Sequence, residues 1–191
     1  MAAPSTASLP LRALCGALVV SALAACGAPY KVVQKSGPPS ALAGTGRVGV
    51  EFDYSTLTVD GMSEEAWVAH SSSEKPEYPA DWAKLKAQVE TNVLAGLSDG
   101  DVEARKNDTS GAPTVVVAIE QFQMGRYIVI GAIKHHMNVK VSFVVDGAVT
   151  DTITFAVEST PSLYSPSVWQ HLDNLGKAIG QKAAHYVRAN R

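Results

Sequence analysis

Apolar residues recur along this chain with two different periods, and the order in which the periods alternate leaves few folds open. Val48, Val50, Phe52 and Tyr54 alternate with small or polar residues, the signature of a half-buried strand. Ser63 to His70 reads as a short helix capped by Ser63, followed by a polar loop from Ser71 to Tyr78 that holds Pro76. Asp81 then caps a helix whose Trp82, Leu85, Val89, Val93 and Leu97 fall on one stripe, ending near Gly100. Val102 to Arg105 reads as a short edge strand, and the β-branched run Thr114 to Ile119 as a central strand buried on both faces. Val139, Val141, Phe143 and Val145 face one way, with Lys140 and Ser142 facing the other. Asp146-Gly147 offers a tight hairpin turn, and the return strand places Val149, Ile153, Phe155 and Val157 on one face. Ser165-Pro166 opens a final helix with the stripe Val168, Leu172, Leu175, Ile179, Ala183 and Tyr186. The order β, α, β, β, β, α predicts an α+β fold: a mixed sheet of about four to five strands with two amphipathic helices packed on one face.

The N-terminus follows a different logic. An uncharged apolar run from Ala13 to Ala25, with Arg12 as the one charge before it, is too short for the roughly 20 helical residues that span a hydrocarbon core. It ends in Leu23-Ala24-Ala25-Cys26, small residues leading to a thiol, which is the pattern of a cleaved signal. The stretch resembles the lipobox of bacterial lipoprotein signal peptides. That resemblance implies residues 1–25 as signal peptide, cleavage before Cys26, and a lipid anchor of two or three acyl chains on Cys26 as the link to a membrane. Gly27 in place of aspartate implies, by the same resemblance, the outer membrane. Cys15 lies inside the apolar run and leaves with the signal. No disulfide is then possible, so the fold stands on its core.

Gly27, Pro29, Gly37, Pro38, Pro39 and Gly44 give residues 26–45 the composition of a flexible tether. About 18 such residues reach roughly 25 Å. Residues 46–191 are then a single domain. Removing the signal lowers Lys plus Arg from 16 to 15 against 18 acids. That near-neutral balance shows no basic stripe and argues against nucleic acid as a partner.

The residues that carry chemistry are scattered. Adjacent His135 and His136 point to opposite faces of a strand, and His171 and Asp173 diverge on a helix, so neither pair suits a metal. Solvated surface histidines are the simplest reading of His70, His135, His136, His171 and His185. Glu64-Glu65 fits a helix start, and Asp99 with Asp101 a turn. Gly-x-Ser-x-Gly elbow, phosphate-cradling loop and free nucleophilic cysteine are all missing from the sequence. No metal, cofactor or catalytic residue is therefore expected. Gly176-x-x-x-Gly180 is read as letting the last helix approach the sheet closely.

One segment asks for more. Met124 to Ile133 is apolar and glycine-flanked, and a connection of that kind must be buried or must touch something. Either Tyr127 to Ile130 is another strand or a sheet edge folded onto the core, or Tyr127, Ile128, Val129 and Ile130 make a hydrophobic contact with a protein partner or lipid. Trp67-Val68, with Tyr78 beyond it, is a second candidate. The whole order, lipobox, strand, Trp82 helix, Val115–Gly125 run, glycine-punctuated loop, hairpin and final helix, resembles small envelope lipoproteins of Gram-negative bacteria with domains of unknown function. More distantly it is similar to auxiliary lipoproteins of ABC-type transporters. These readings converge on a membrane-anchored, periplasm-facing accessory lipoprotein that binds an envelope partner. The alternatives are a periplasmic hydrolase, which requires two or more histidines and acids to converge, and a small-ligand carrier, which requires an apolar cavity between sheet and helices.

Overall fold

The computed structural model describes residues 29–74, 78–108, 110–128, 131–161 and 168–191. In chain order the elements are β1 (Lys31–Gln34), β2 (Arg47–Asp53), β3 (Thr58–Val59), β4 (Met62–Ser63), α1 (Glu64–Glu74), α2 (Tyr78–Asp99) and β5 (Glu103–Lys106). There follow β6 (Thr114–Gln123), β7 (Arg126–Ile128), β8 (Gly131–Ile133), β9 (His135–Val145), β10 (Ala148–Ser159) and α3 (Val168–Asn190). Eight strands form one mixed sheet along β1-β10-β9-β6-β2-β5, with β3 also paired to β6 and β4 to β3. The sheet is larger than the four to five strands that the hydrophobic pattern indicates, because β1, β3 and β4 are too short to show a period.

The helical stripes behave as their spacing demands. Trp82, Leu85, Val89, Val93 and Leu97 of α2 are buried, as are Leu172, Leu175, Ile179, Ala183 and Tyr186 of α3. Against them lie Val48 and Val50 of β2, Val139, Val141 and Phe143 of β9, and Ile153, Phe155 and Val157 of β10. Ser63 Oγ accepts from the Ala66 N–H at 3.2 Å, capping α1, which runs on to Glu74 through part of the expected loop. Helix α2 begins at Tyr78 rather than at an Asp81 cap, and Asp81 pairs with Lys84 instead. Ser165-Pro166 lies outside the described residues. Asp146 and Gly147 have φ of 50° and 77°, the two positive values that a two-residue hairpin turn needs.

Three further expectations are corrected. Strand β6 is not buried on both faces: Val115, Val117, Ile119 and Phe122 point into the core, whereas Thr114, Val116 and Ala118 are half-buried. Helices cover only one face, so the dense β-branched run stiffens the strand without being enclosed. Val149 does not join the inward row of β10, because a bulge between Val149 and Asp151 shifts the alternation and leaves Val149 exposed. The glycines of α3 meet a helix and not the sheet. A Cβ on Gly180 would sit 2.1 Å from the Val93 carbonyl oxygen of α2, and one on Gly176 2.9 Å from that of Val89.

Residues 31–45, by composition a tether, carry structure. β1 pairs antiparallel with β10, Leu42 and Thr45 are buried, and Asp151 explains why. This fully buried carboxylate accepts from the Tyr186 hydroxyl at 2.8 Å, from the Ser36 N–H at 3.0 Å and from the Ser36 hydroxyl at 3.0 and 3.2 Å. Burial raises its pKa, and hydrogen bonding, from Thr150 first and then from Ser36 and Tyr186, outweighs that effect, so it stays below the usual carboxylate range. Proline and glycine here shape a path over the domain surface.

Candidate functional site

Among the described residues strands β7 and β8 pair with each other alone, Arg126 opposite Ile133 and Ile128 opposite Gly131, in a two-stranded sheet of their own. The hairpin they form is rooted between β6 and β9 at Gly125. A Cβ there would lie 2.4 Å from the His135 nitrogen and 2.5 Å from the Ile133 carbonyl oxygen, so the crossing admits only glycine. Two side chains from distant parts of the sequence then hold two consecutive amides. Asp60 Oδ1 accepts from the Met124 N–H at 2.8 Å, and His135 Nδ1 accepts from the Gly125 N–H at 3.0 Å. Asp60 is itself set by the tight β3–β4 turn, with a φ of 50°.

His135 is buried, and burial pushes its pKa down, with the neighbouring His171 adding to the shift and Asp60 opposing it. A neutral imidazole is what the geometry needs, because Nδ1 must offer a lone pair to Gly125. The ring closes a row of aromatic contacts through the domain. Trp67 meets Trp82 at 5.0 Å, Trp82 meets Phe122 at 6.1 Å, and Phe122 meets His135 at 6.4 Å between centroids. His135 in turn stacks on His171 at 5.0 Å, and His171 Nδ1 lies 2.6 Å from Ser159 Oγ.

His135 and His171 are thus core residues and not solvated surface histidines; the flat faces of Phe122 and of each other give them apolar neighbours that spacing along the sequence does not reveal. His136 does point to the opposite face, toward Asn138 at 2.9 Å and Glu158 at 3.4 Å. Glu64 accepts from Trp82 Nε1 at 2.7 Å and pairs with Lys86, a structural role. Of the second candidate surface, Trp67 is buried against Trp82 and Val68 borders an open groove beside Tyr54, Leu57 and Glu65, while the Tyr78 side chain lies outside the described residues. Tyr127 and Ile128 lie on the β7 backbone, whereas Val129, Ile130 and Cys26 fall outside the described residues.

Among the described residues no group of three or more His, Cys, Asp or Glu is placed to hold a metal. Among them, too, no helix is long and apolar enough to cross a membrane. The gap between sheet and helices, lined by Leu57, Trp82, Leu85, Phe122, Met137 and Leu172, measures about 20 Å³, room for about one water molecule. The sequence could have signalled the hairpin root through Gly125 and the isolated Asp60-Gly61 pair, but not through the two histidines.

No protein-family model matches the chain, and no curated protein matches it. Solved structures similar to it include a PelC dodecamer from Paraburkholderia phytofirmans, at 18% identity and a TM-score of 0.44 over 80% of this chain and 97% of that one. A variant of the same PelC gives 17% identity and 0.43 over 80% and 95%. A minor lipoprotein from Acinetobacter baumannii gives 11% identity and 0.41 over 76% and 94%.

Proposed function

We propose that this protein is a non-catalytic accessory protein of the bacterial cell envelope, lipid-anchored through Cys26 to the outer membrane and facing the periplasm. Its working contact with a partner protein is the 126–133 hairpin. The observation that carries this reading is the contrast between root and body of that hairpin. Its root is held by Asp60 and His135 on successive amides, while among the described residues its strands pair with each other alone, and the sequence from 127 to 130 is apolar. A hairpin of apolar sequence outside the main sheet, with its root hydrogen-bonded in place, fits a role in recognition, where pre-organisation limits the entropy lost on binding. Replacing Ile128 and Ile130 together by serine is expected to abolish co-purification of the partner from envelope extracts with the melting temperature retained. Unchanged co-purification from that variant would sink the assignment.

A second reading, a periplasmic hydrolase, is favoured by one observation: Ser159 Oγ stands 2.6 Å from His171 Nδ1, with His135 stacked behind. A serine activated by a neighbouring imidazole is a nucleophile for acyl transfer. Turnover of activated esters by the intact protein, lost on Ser159→Ala, would establish this reading; equal rates in both proteins would remove it.

A further inference from the structure

The near-neutral charge of the chain conceals a division. All 18 acids lie within residues 48–173, against eight Lys and Arg there, while residues 29–47 and 174–191 hold seven Lys and Arg and no acid. Arg47 is committed to Glu103 at 3.1 Å on the far edge of the sheet. Four of the others, Lys35, Lys182, Arg188 and Arg191, lie where the two flanking stretches meet. Lys182 donates to the Pro29 carbonyl at 2.7 Å, and the Tyr30 hydroxyl lies 3.1 Å from His185 Nδ1. Lys182, His185 and Arg188 border one groove together with Pro29, and Lys35 and Arg191 border the next. Asp99 borders the first groove, and Asp101 lies 3.9 Å from Arg188, the two acids that α2 and its following turn bring close. The large hydrophobic side chains that stand exposed among the described residues, Val32, Val33 and Val149, all sit on the β1–β10 edge beside this cationic region.

Pro29 follows Cys26 by three residues. Three extended residues span at most about 11 Å, and the interfacial layer on each side of a bilayer is roughly 5–8 Å thick. Since Pro29 and Tyr30 are fastened to α3, a lipid on Cys26 brings the cationic edge to within about a Debye length, roughly 8 Å, of the headgroups. We propose that the face built from β1 and the C-terminal half of α3 docks on anionic phospholipid headgroups, with Lys35, Lys182, Arg188 and Arg191 engaging phosphate and Val32 and Val33 entering the interface. The domain is thereby held in one orientation on the membrane. This inference rests on the lipidated Cys26 of the proposed function.

The test uses the mature acylated chain carrying Val33→Cys, whose thiol is the one left free once Cys26 is acylated. The protein is inserted into vesicles of phosphatidylethanolamine with or without phosphatidylglycerol. Mass spectrometry of the N-terminal peptide and vesicle flotation report the anchor. The rate of maleimide modification reports docking, with Glu103→Cys on the opposite edge as reference. Phosphatidylglycerol is expected to slow modification at position 33 by at least about fivefold, the effect of one cation near an anionic surface, and to leave position 103 unchanged. High salt, or Lys35→Glu with Arg188→Glu and Arg191→Glu, is expected to restore the fast rate without loss of flotation. A chain that floats yet reacts equally at both positions, with no response to phosphatidylglycerol or salt, overturns this inference while the anchor stands. A chain that is neither acylated nor floating overturns the anchor, and this inference with it.

Discussion

The two ends of the domain solve the problem of position in opposite ways. At the hairpin root two unlike side chains fix a backbone: the buried His135 ring holds the Gly125 amide from inside an aromatic row, and the exposed carboxylate of Asp60 holds its neighbour. At the anchor end, one buried carboxylate, Asp151, fastens β1 and Ser36 to α3 and leaves an outward surface of cations. The hairpin is thus held through its backbone amides, by one hidden and one exposed side chain, whereas the anchor end is fastened by a single buried carboxylate and presents its cations to water. Helix α3 serves both, contributing His171 to one end and Tyr186, Lys182 and Arg188 to the other.

The largest effect is expected from Asp151→Ala, which orphans the buried Tyr186 hydroxyl and frees Ser36. Hydrogen bonds to a charged group contribute about 1.5–3 kcal/mol each. A loss of about 3 kcal/mol in urea unfolding is expected, with hydrogen exchange rising in residues 31–36 before it rises at the hairpin root. Equal exchange at both ends would show that the two regions are not separately fastened.

Gly180→Ala strikes what the ends share. Its Cβ meets the Val93 carbonyl oxygen, so α2 and α3 must part, at a cost of about 2 kcal/mol by the usual penalty for overpacking. Both ends are expected to loosen together, in contrast to Asp151→Ala, and amide exchange distinguishes the two outcomes.

Gly125→Ala is the complementary break. The added methyl meets backbone and has no flexible neighbour to displace, so the root must shift. About 1–2 kcal/mol of stability is expected to be lost, together with co-purification of the partner, while vesicle flotation is unchanged. A variant that still captures the partner would separate hairpin geometry from binding.

The smallest effect is a pH dependence. The folded pKa of His135 lies below its unfolded value, so the unfolded chain binds more protons once pH falls below about 6.5. Stability supplied by the neutral ring is complete above that pH and is lost as pH falls toward the depressed folded value. The melting temperature of the native chain is expected to fall between pH 7 and pH 5, and His135→Gln is expected to flatten that slope. Asp151 and Glu158, whose folded pKa values are also lowered, act below this window.

Much of the frame was legible because it depends on local periods. The stripes of α2 and α3, the Ser63 cap and the Asp146-Gly147 turn each arise from residues a few positions apart. Features joined across long separations were not. The tether reading failed because Ser36 meets Asp151 115 residues away, and two histidines read as solvated because their stacking partners lie on other elements. The cationic edge escaped a charge count because its parts are the two ends of the domain, and a sum over the chain cancels them against the acidic middle. The candidate contact at 127–130 was visible as an apolar run, yet its mounting by Asp60 and His135 was not.

The central claim, that the hairpin is the working contact of an anchored domain, is tested most directly by photo-crosslinking in intact cells. A benzophenone side chain is placed at position 128 or, as reference, at position 140 on the helix-free face of the sheet. The account predicts a discrete crosslinked protein from position 128, weakened when Cys26→Ala removes the anchor, and none from position 140. Crosslinks of equal yield from both positions, or none from position 128, would contradict it.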